Sequence, residues 1–246
     1  MNKSVLYKLF LLCGFFLTLF FGVAQAEDVR FQQGIEAYNQ GQYEQAIEKF
    51  QSLAEEGISA SLLYNLANSY AQNGQSGMAI LYYERAARLA PGDSDIQGNL
   101  ELLRKEKTLF QEEQSFSQRF VHLFGLDRWT ILLLASVLLF AAVLLFPATP
   151  KLKNSTRTMV ATSSLLIILA SVFGIVGQYR HYHDGVVIVD DVRLRISPFD
   201  SAAAGGSIQE GRLLTPLKTH NNYTLIRDEA GRKGWLAADE FLYIVE

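Results

Sequence analysis

Two apolar runs without a charged residue, Trp129 to Phe146 and Met159 to Gly177, limit what this chain can become. At 1.5 Å rise per residue, each helix would reach nearly across a hydrocarbon layer of roughly 30 Å. A buried helix of a soluble domain would normally carry a polar stripe every third or fourth residue, and neither run has one. Pro147 to Thr158 joins the two runs and carries Lys151, Lys153 and Arg157 with no acidic residue. Short basic loops stay on the cytoplasmic side. The expectation is a transmembrane hairpin with its bend inside and both flanks outside. Trp129 and Tyr179 stand at span edges, where interfacial aromatics are expected. Ala170 and Gly174, with Ser171 and Gly177 nearby, would allow close helix approach or simply be the small-residue content of a span. Neither span has an ionisable residue, which argues against a proton relay or ion pathway.

The N-terminus supports the same orientation. Lys3 and Lys8 precede the apolar stretch Leu9 to Val23, and Ala24-Gln25-Ala26 supplies small residues of a cleavage site, so residues 1–26 are expected to be a signal peptide, or else an uncleaved anchor. Cys13 is the only cysteine; it lies within the apolar stretch after Leu12, so lipidation is not expected, and cleavage would leave no thiol. Residues 27–128 and 178–246 then share the outer compartment, the periplasm of a Gram-negative cell. The net charge of −3 is too small and of the wrong sign for electrostatic nucleic-acid binding.

The exported N-terminal part repeats. Gly41-Gln42-Tyr43-Glu44-Gln45-Ala46-Ile47 aligns with Gly74-Gln75-Ser76-Gly77-Met78-Ala79-Ile80 at a 33-residue offset. Small residues at 34, 46, 67 and 79 suit close helix crossings, and large ones at 50, 70 and 83 suit the space between repeats. With Leu66, Ala67, Tyr70, Gly74, Ala79, Tyr83, Ala86 and Pro91, the second copy resembles the tetratricopeptide repeat. The first copy departs from it at Gln33 and lacks the terminal proline. Asp95 to Leu103 would cap the stack through Ile96, Leu100 and Leu103, giving a domain over 27–103. That register points Phe31, Ile35, Tyr38 and Asn39 from copy one, and Tyr64, Asn65, Asn68 and Gln72 from copy two, onto the concave face. These residues would form an aromatic and amide groove for an extended peptide or a partner helix, or would pack between repeats.

In the linker 104–128, Phe116, Phe120, Leu123 and Phe124 share one helical face, which predicts a short amphipathic helix on the membrane surface or against the solenoid. Beyond the second span the pattern becomes strand-like: Val186 to Val189, Val192 to Arg195, Arg212 to Leu217, Tyr223 to Arg227, Gly234 to Leu236 and Leu242 to Val245. Turns fall at Glu210-Gly211 and Asp228 to Gly231. Five or six short strands in so few residues predict a small all-β barrel. Val192 to Pro198, Glu210-Gly211 and Gly231-Arg232-Lys233-Gly234-Trp235-Leu236 resemble the bacterial Src-homology-3-like (SH3-like) domain, over 178–246. Phe199, Tyr223 and Trp235 are its candidate groove for peptide or glycan, with Trp235 alternatively a core anchor. The resemblance implies peptidoglycan as a ligand.

No G-x-S-x-G, H-E-x-x-H or phosphate-loop motif is present. His181 and His183 could present two nitrogens on one side of a strand with Asp184 adjacent, but no further ligands complete a metal site, and they are expected to be juxtamembrane polar residues at the lipid surface. The expected fold class is therefore a multi-domain membrane protein: an all-α solenoid, a two-helix transmembrane hairpin (129–146 and 159–177 around the loop 147–158) and an all-β SH3-like barrel. No enzyme activity, cofactor or metal is expected. The whole arrangement resembles the E-type proteins of the bacterial Bat aerotolerance group. That resemblance implies a scaffold or assembly role, with von Willebrand A-type membrane proteins and a MoxR-type ATPase as partners. The alternative is a peptidoglycan-binding sensor or anchor.

Overall fold

In a computed structural model of the chain, the described residues are 29–109, 116–121, 123–145, 154–180 and 183–245. The signal-peptide expectation over 1–26, Lys151 and Lys153 of the bend, linker residues 110–115, His122 and His181 lie outside them. Five helices form the N-terminal solenoid: α1 Val29–Asn39, α2 Tyr43–Glu56, α3 Ala60–Gln72, α4 Ser76–Leu89 and α5 Ser94–Glu106. The two repeat copies close their first helices identically. Gly41 and Gly74 take the left-handed backbone (φ 74° and 81°), and the following N–H groups of Gln42 and Gln75 donate to Ala37 O and Tyr70 O. The size pattern of the repeat is the packing pattern. Ala46, Ala67, Ala79 and Phe50 are wholly buried, and a Cβ built on Gly34 would sit 2.5 Å from the Phe50 ring. Helix α5 begins at an Asp93 cap that accepts the Asp95 and Ile96 N–H groups, and it closes the stack with Ile96, Leu100 and Leu103.

After α6 (Phe116–Val121), two long helices pair: α7 Leu126–Leu145 and α8 Asn154–Arg180. Their segments Leu126–Leu144 and Ser155–Tyr179 are long and apolar enough to cross a membrane. Leu134, Leu138, Leu166 and Leu169 face outward. Trp129 is not an edge aromatic turned to the surroundings. It is buried against Gly174, where a Cβ would meet its ring at 2.5 Å, and its indole N–H donates to Val121 O at 3.1 Å. Gly177 likewise receives Val121. The small residues of α8 thus seat the preceding segment: Phe120 meets Phe173 and Trp129, and Gln178 donates to Val121 O and Phe124 O. The amphipathic helix α6 packs on α8.

The C-terminal strands are β1 Gly185–Val187, β2 Val192–Arg195, β3 Ala204–Ile208, β4 Leu213–His220, β5 Tyr223–Asp228, β6 Lys233–Ala237 and β7 Phe241–Tyr243. They form one antiparallel sheet in the order β3-β2-β6-β5-β4-β1-β7. This corrects the barrel expectation: the sheet is open, and no ladder joins β3 to β7. The short β6–β7 turn sends β7 to pair with β1, and at the β7 end the Tyr243 and Ile244 carbonyls accept from Arg85 of the solenoid. The ladder between β4 and β5 shifts register at Pro216 to Lys218, where proline has no N–H to donate. Val187, Val192, Leu194, Ile208, Leu214, Ile226, Leu236 and Phe241 fill the inner side.

Solenoid and sheet share one core, since Val186 and Ile244 are buried with Ile80, Leu81 and Leu109. Helix α4 lies on β1. Gln75 supplies no side-chain cap to α4, and Glu210 does so from the sheet: the Gly77 N–H donates to its Oε1 at 2.7 Å. Gly211 follows at φ 82°, and a Cβ there would lie 2.5 Å from Ile80 Cδ1. Beside this turn, Arg104 pairs with Glu84 at 2.8 Å, and Glu229 lies 4.0 Å from Arg104 and 3.9 Å from Arg212. Burial pushes the Glu229 carboxyl above its usual range, against the pull of both arginines. Replacing Glu210 by Ala should cost about 1 kcal/mol by uncapping α4. Gly211→Val should cost about 2 kcal/mol or more, through its positive φ and the Ile80 contact. Denaturant unfolding of the full chain in detergent checks both, and the proposed cap is wrong if Glu210→Ala is neutral.

Candidate functional site

The concave-face residues divide into an anchored set and an open set. Phe31 packs its ring 5.6 Å from Phe50, and Ile35, Tyr38 and Tyr64 lean partly buried on the solenoid core. Tyr38 also meets Tyr43 edge-on at 5.5 Å. In copy two, Tyr64 and Asn68 are tied together by Asn99 of α5, which donates to Tyr64 Oη at 2.9 Å and to Asn68 Oδ1 at 3.2 Å. The Tyr83 hydroxyl from α4 donates to the same Asn68 oxygen, and burial raises its phenol well above the ordinary value. Asn65 donates to Ser61 O, one turn back on its own helix, at 2.8 Å. Asn39 and Gln72 stand exposed at the C-terminal ends of α1 and α3. Ala60, Ser61, Tyr64, Asp93, Asp95 and Ile96 line a cleft between the N-terminal ends of α3 and α5. Sequence periodicity identified α5 as a cap through its apolar residues, and nothing in that pattern singled out Asn99.

On the sheet, Tyr223 and Trp235 share the outward face. Trp235 is the cross-strand partner of both Leu225 and Arg195, and the Arg195 guanidinium lies 5.6 Å above the Tyr223 ring. Glu240 holds Arg195 through two bonds of 2.8 and 3.0 Å. The Tyr223 hydroxyl donates to Asp200, and that bond raises its phenol above the usual range. His220 meets Trp235 edge-on at 6.5 Å. Phe199 is exposed in the loop after β2, beside the Asp200 that binds Tyr223. Arg195, Asp200, His220 and Glu240 were not identified from sequence, because their grouping depends on strand register and on the loop folding back. Trp235 is only partly buried and lies outside the sheet's buried core.

Near the second long helix, Asp184 accepts from the Thr215 hydroxyl at 2.9 Å, and the His183 ring lies 6.4 Å from that of Tyr179. Among the described residues, no group of three or more His, Cys, Asp or Glu side chains converges. The chemistry available in the solenoid groove is hydrogen bonding by amides and contact with aromatic faces, both suited to a polypeptide.

The Asn68 network gives a test of which groove residues are structural. Asn68→Ala leaves the buried Tyr83 hydroxyl without its acceptor and should destabilise by about 1–3 kcal/mol. Adding Tyr83→Phe should recover most of that loss, and a thermal-unfolding double-mutant cycle reads the coupling. Comparison with curated proteins gave no match. Residues 31–94, which span α1 from Phe31 through α4, match the family model of the tetratricopeptide repeat, a module of protein–protein interaction.

Proposed function

We propose that this chain is a non-enzymatic, membrane-anchored assembly protein whose solenoid groove receives a protein partner. The joint between α4 and the sheet carries this reading. The Glu210 cap and the Arg85 contacts hold residues on both sides of the α7–α8 hairpin in one body. Such a joint needs both parts on the same side of a membrane that the hairpin crosses. It uses α4, the second helix of its repeat, and leaves the first helices α1 and α3 open to a partner.

The basic bend supports placing that body outside the cytoplasm, with the signal-like N-terminus in agreement. The groove proposed for the partner comprises Phe31, Ile35, Tyr38, Asn39, Tyr64, Asn65, Asn68 and Gln72. Within it Asn39 and Gln72 make contact, while Tyr64 and Asn68 give a fixed floor. The resemblance to the Bat aerotolerance group supports a von Willebrand A-type membrane protein as that partner, in a system with a MoxR-type ATPase.

Alkaline phosphatase fused after Glu246 should be active, and fused in place of the hairpin bend inactive; the reverse pattern rejects the orientation. A photo-crosslinking residue at Asn39 or Gln72 in intact membranes should yield an adduct with a von Willebrand A-type protein. Gln45, exposed on α2, should not. Equal adducts from all three positions reject the groove.

A further inference from the structure

The outward sheet face carries four cationic side chains that no carboxylate of a described residue pairs with. Arg227 and Lys233 are partners across β5 and β6, and Lys218 and Trp235 both flank Leu225. Arg193 lies two residues from Arg195 and so on the same side of β2. Arg193, Lys218, Arg227 and Lys233 are exposed, and none forms an ion pair with a described residue. Of the carboxylates near this face, Glu240 is held by Arg195 and Asp200 accepts from Tyr223. The four cations are spread over about 13 Å along the strands, the rise from Tyr223 to Arg227.

The complementary surface is on the solenoid. Glu44, Glu48 and Glu55 of α2 follow at spacings of four and seven, so they form one stripe about 16 Å long. All three are exposed, with no ion pair to a described residue; the cations nearest in the structure are the half-buried Lys49 on the same helix and Arg30, which is held by Glu56. The sheet of the same chain docks on α4, in the other repeat, and leaves this stripe uncovered. We propose that the cationic sheet face of one chain docks on the α2 carboxylate stripe of a second copy. The two surfaces differ, so the contact is heterologous and propagates as a row or ring of copies. Exposed ion pairs are individually weak and salt-screened. Confinement to one membrane raises the effective concentration enough for a weak contact to operate. The inference rests on the proposed reading that solenoid and sheet share one side of the membrane.

The test uses the full chain with Cys13→Ser, labelled with donor or acceptor dye at Leu102→Cys, in phosphatidylcholine vesicles. Energy transfer above random mixing is expected, and it should disappear in high salt. Lys218→Glu with Arg227→Glu, or Glu44→Lys with Glu48→Lys, should each lower association about tenfold. Combining both reversals in one chain should restore it. Transfer that ignores either reversal, or that the combination fails to restore, overturns the proposal. So does a result in which only the sheet reversal matters and only with phosphatidylglycerol present, which would make lipid the occupant. An impermeant maleimide applied to Leu102→Cys and Ala230→Cys separates the two levels. Reaction from opposite sides rejects the shared-side reading and this contact with it, whereas same-side reaction with unmoved transfer rejects the contact alone.

Discussion

The hydrogen bond from the Gly77 N–H to Glu210 is the contact on which the arrangement of this molecule turns. A helix of α4's length starts with unsatisfied N–H groups and a partial positive charge. The residue at its N-cap, Gln75, does not answer them. The answer comes from a sheet residue 133 positions later, delivered by a turn whose glycine must be left-handed and must lack a side chain. The apolar residues around it, Ile80, Leu81, Leu109, Val186 and Ile244, make a single core from two units that the sequence separates by two long apolar helices. A two-repeat solenoid buries little by itself. Here the sheet covers α4, and the α5 cap covers the other exposed flank.

That joint gives the two long helices their meaning. Helices α7 and α8 could be paired in any environment that rewards apolar burial, and their outward leucines leave lipid as the natural one. A hairpin returns the chain to the end from which it left, and the Glu210 and Arg85 contacts need that return. Two small residues of α8 let large side chains of α7 and α6 approach closely. Gly174 and Gly177 receive Trp129 and Val121, so the base of the hairpin is packed with aromatic side chains and with α6. The two long helices are thereby fixed to the segment that leads into them.

How much of this could be read from sequence follows from the range of each interaction. Helix signals are local, so the 33-residue repeat, its glycine stops and the apolar cap at Ile96, Leu100 and Leu103 were legible. Strand signals were legible where β-branched residues alternate, and failed at Ala204–Ile208, whose Ala-Gly-Gly-Ser run carries no such pattern yet forms β3 against β2. Barrel closure was misjudged because closure depends on which strands meet, and the pairing of β7 with β1 is not encoded in either strand. The interdomain cap was invisible for the same reason. Glu210-Gly211 reads as a turn from sequence, and only the folded chain shows what it turns into.

The same division applies within the groove. Residues assigned to it by repeat register fall into two physical classes that register cannot separate. Asn68 accepts from two donors through its Oδ1 and Tyr64 from one through its hydroxyl, so both side chains are held in place by neighbouring helices. A side chain held by neighbouring helices in this way is already immobilised before any binding event. Asn39 and Gln72, by contrast, stand exposed at the ends of their helices. The Asn99 bonds make that rigidity depend on the capping helix as much as on the repeats themselves.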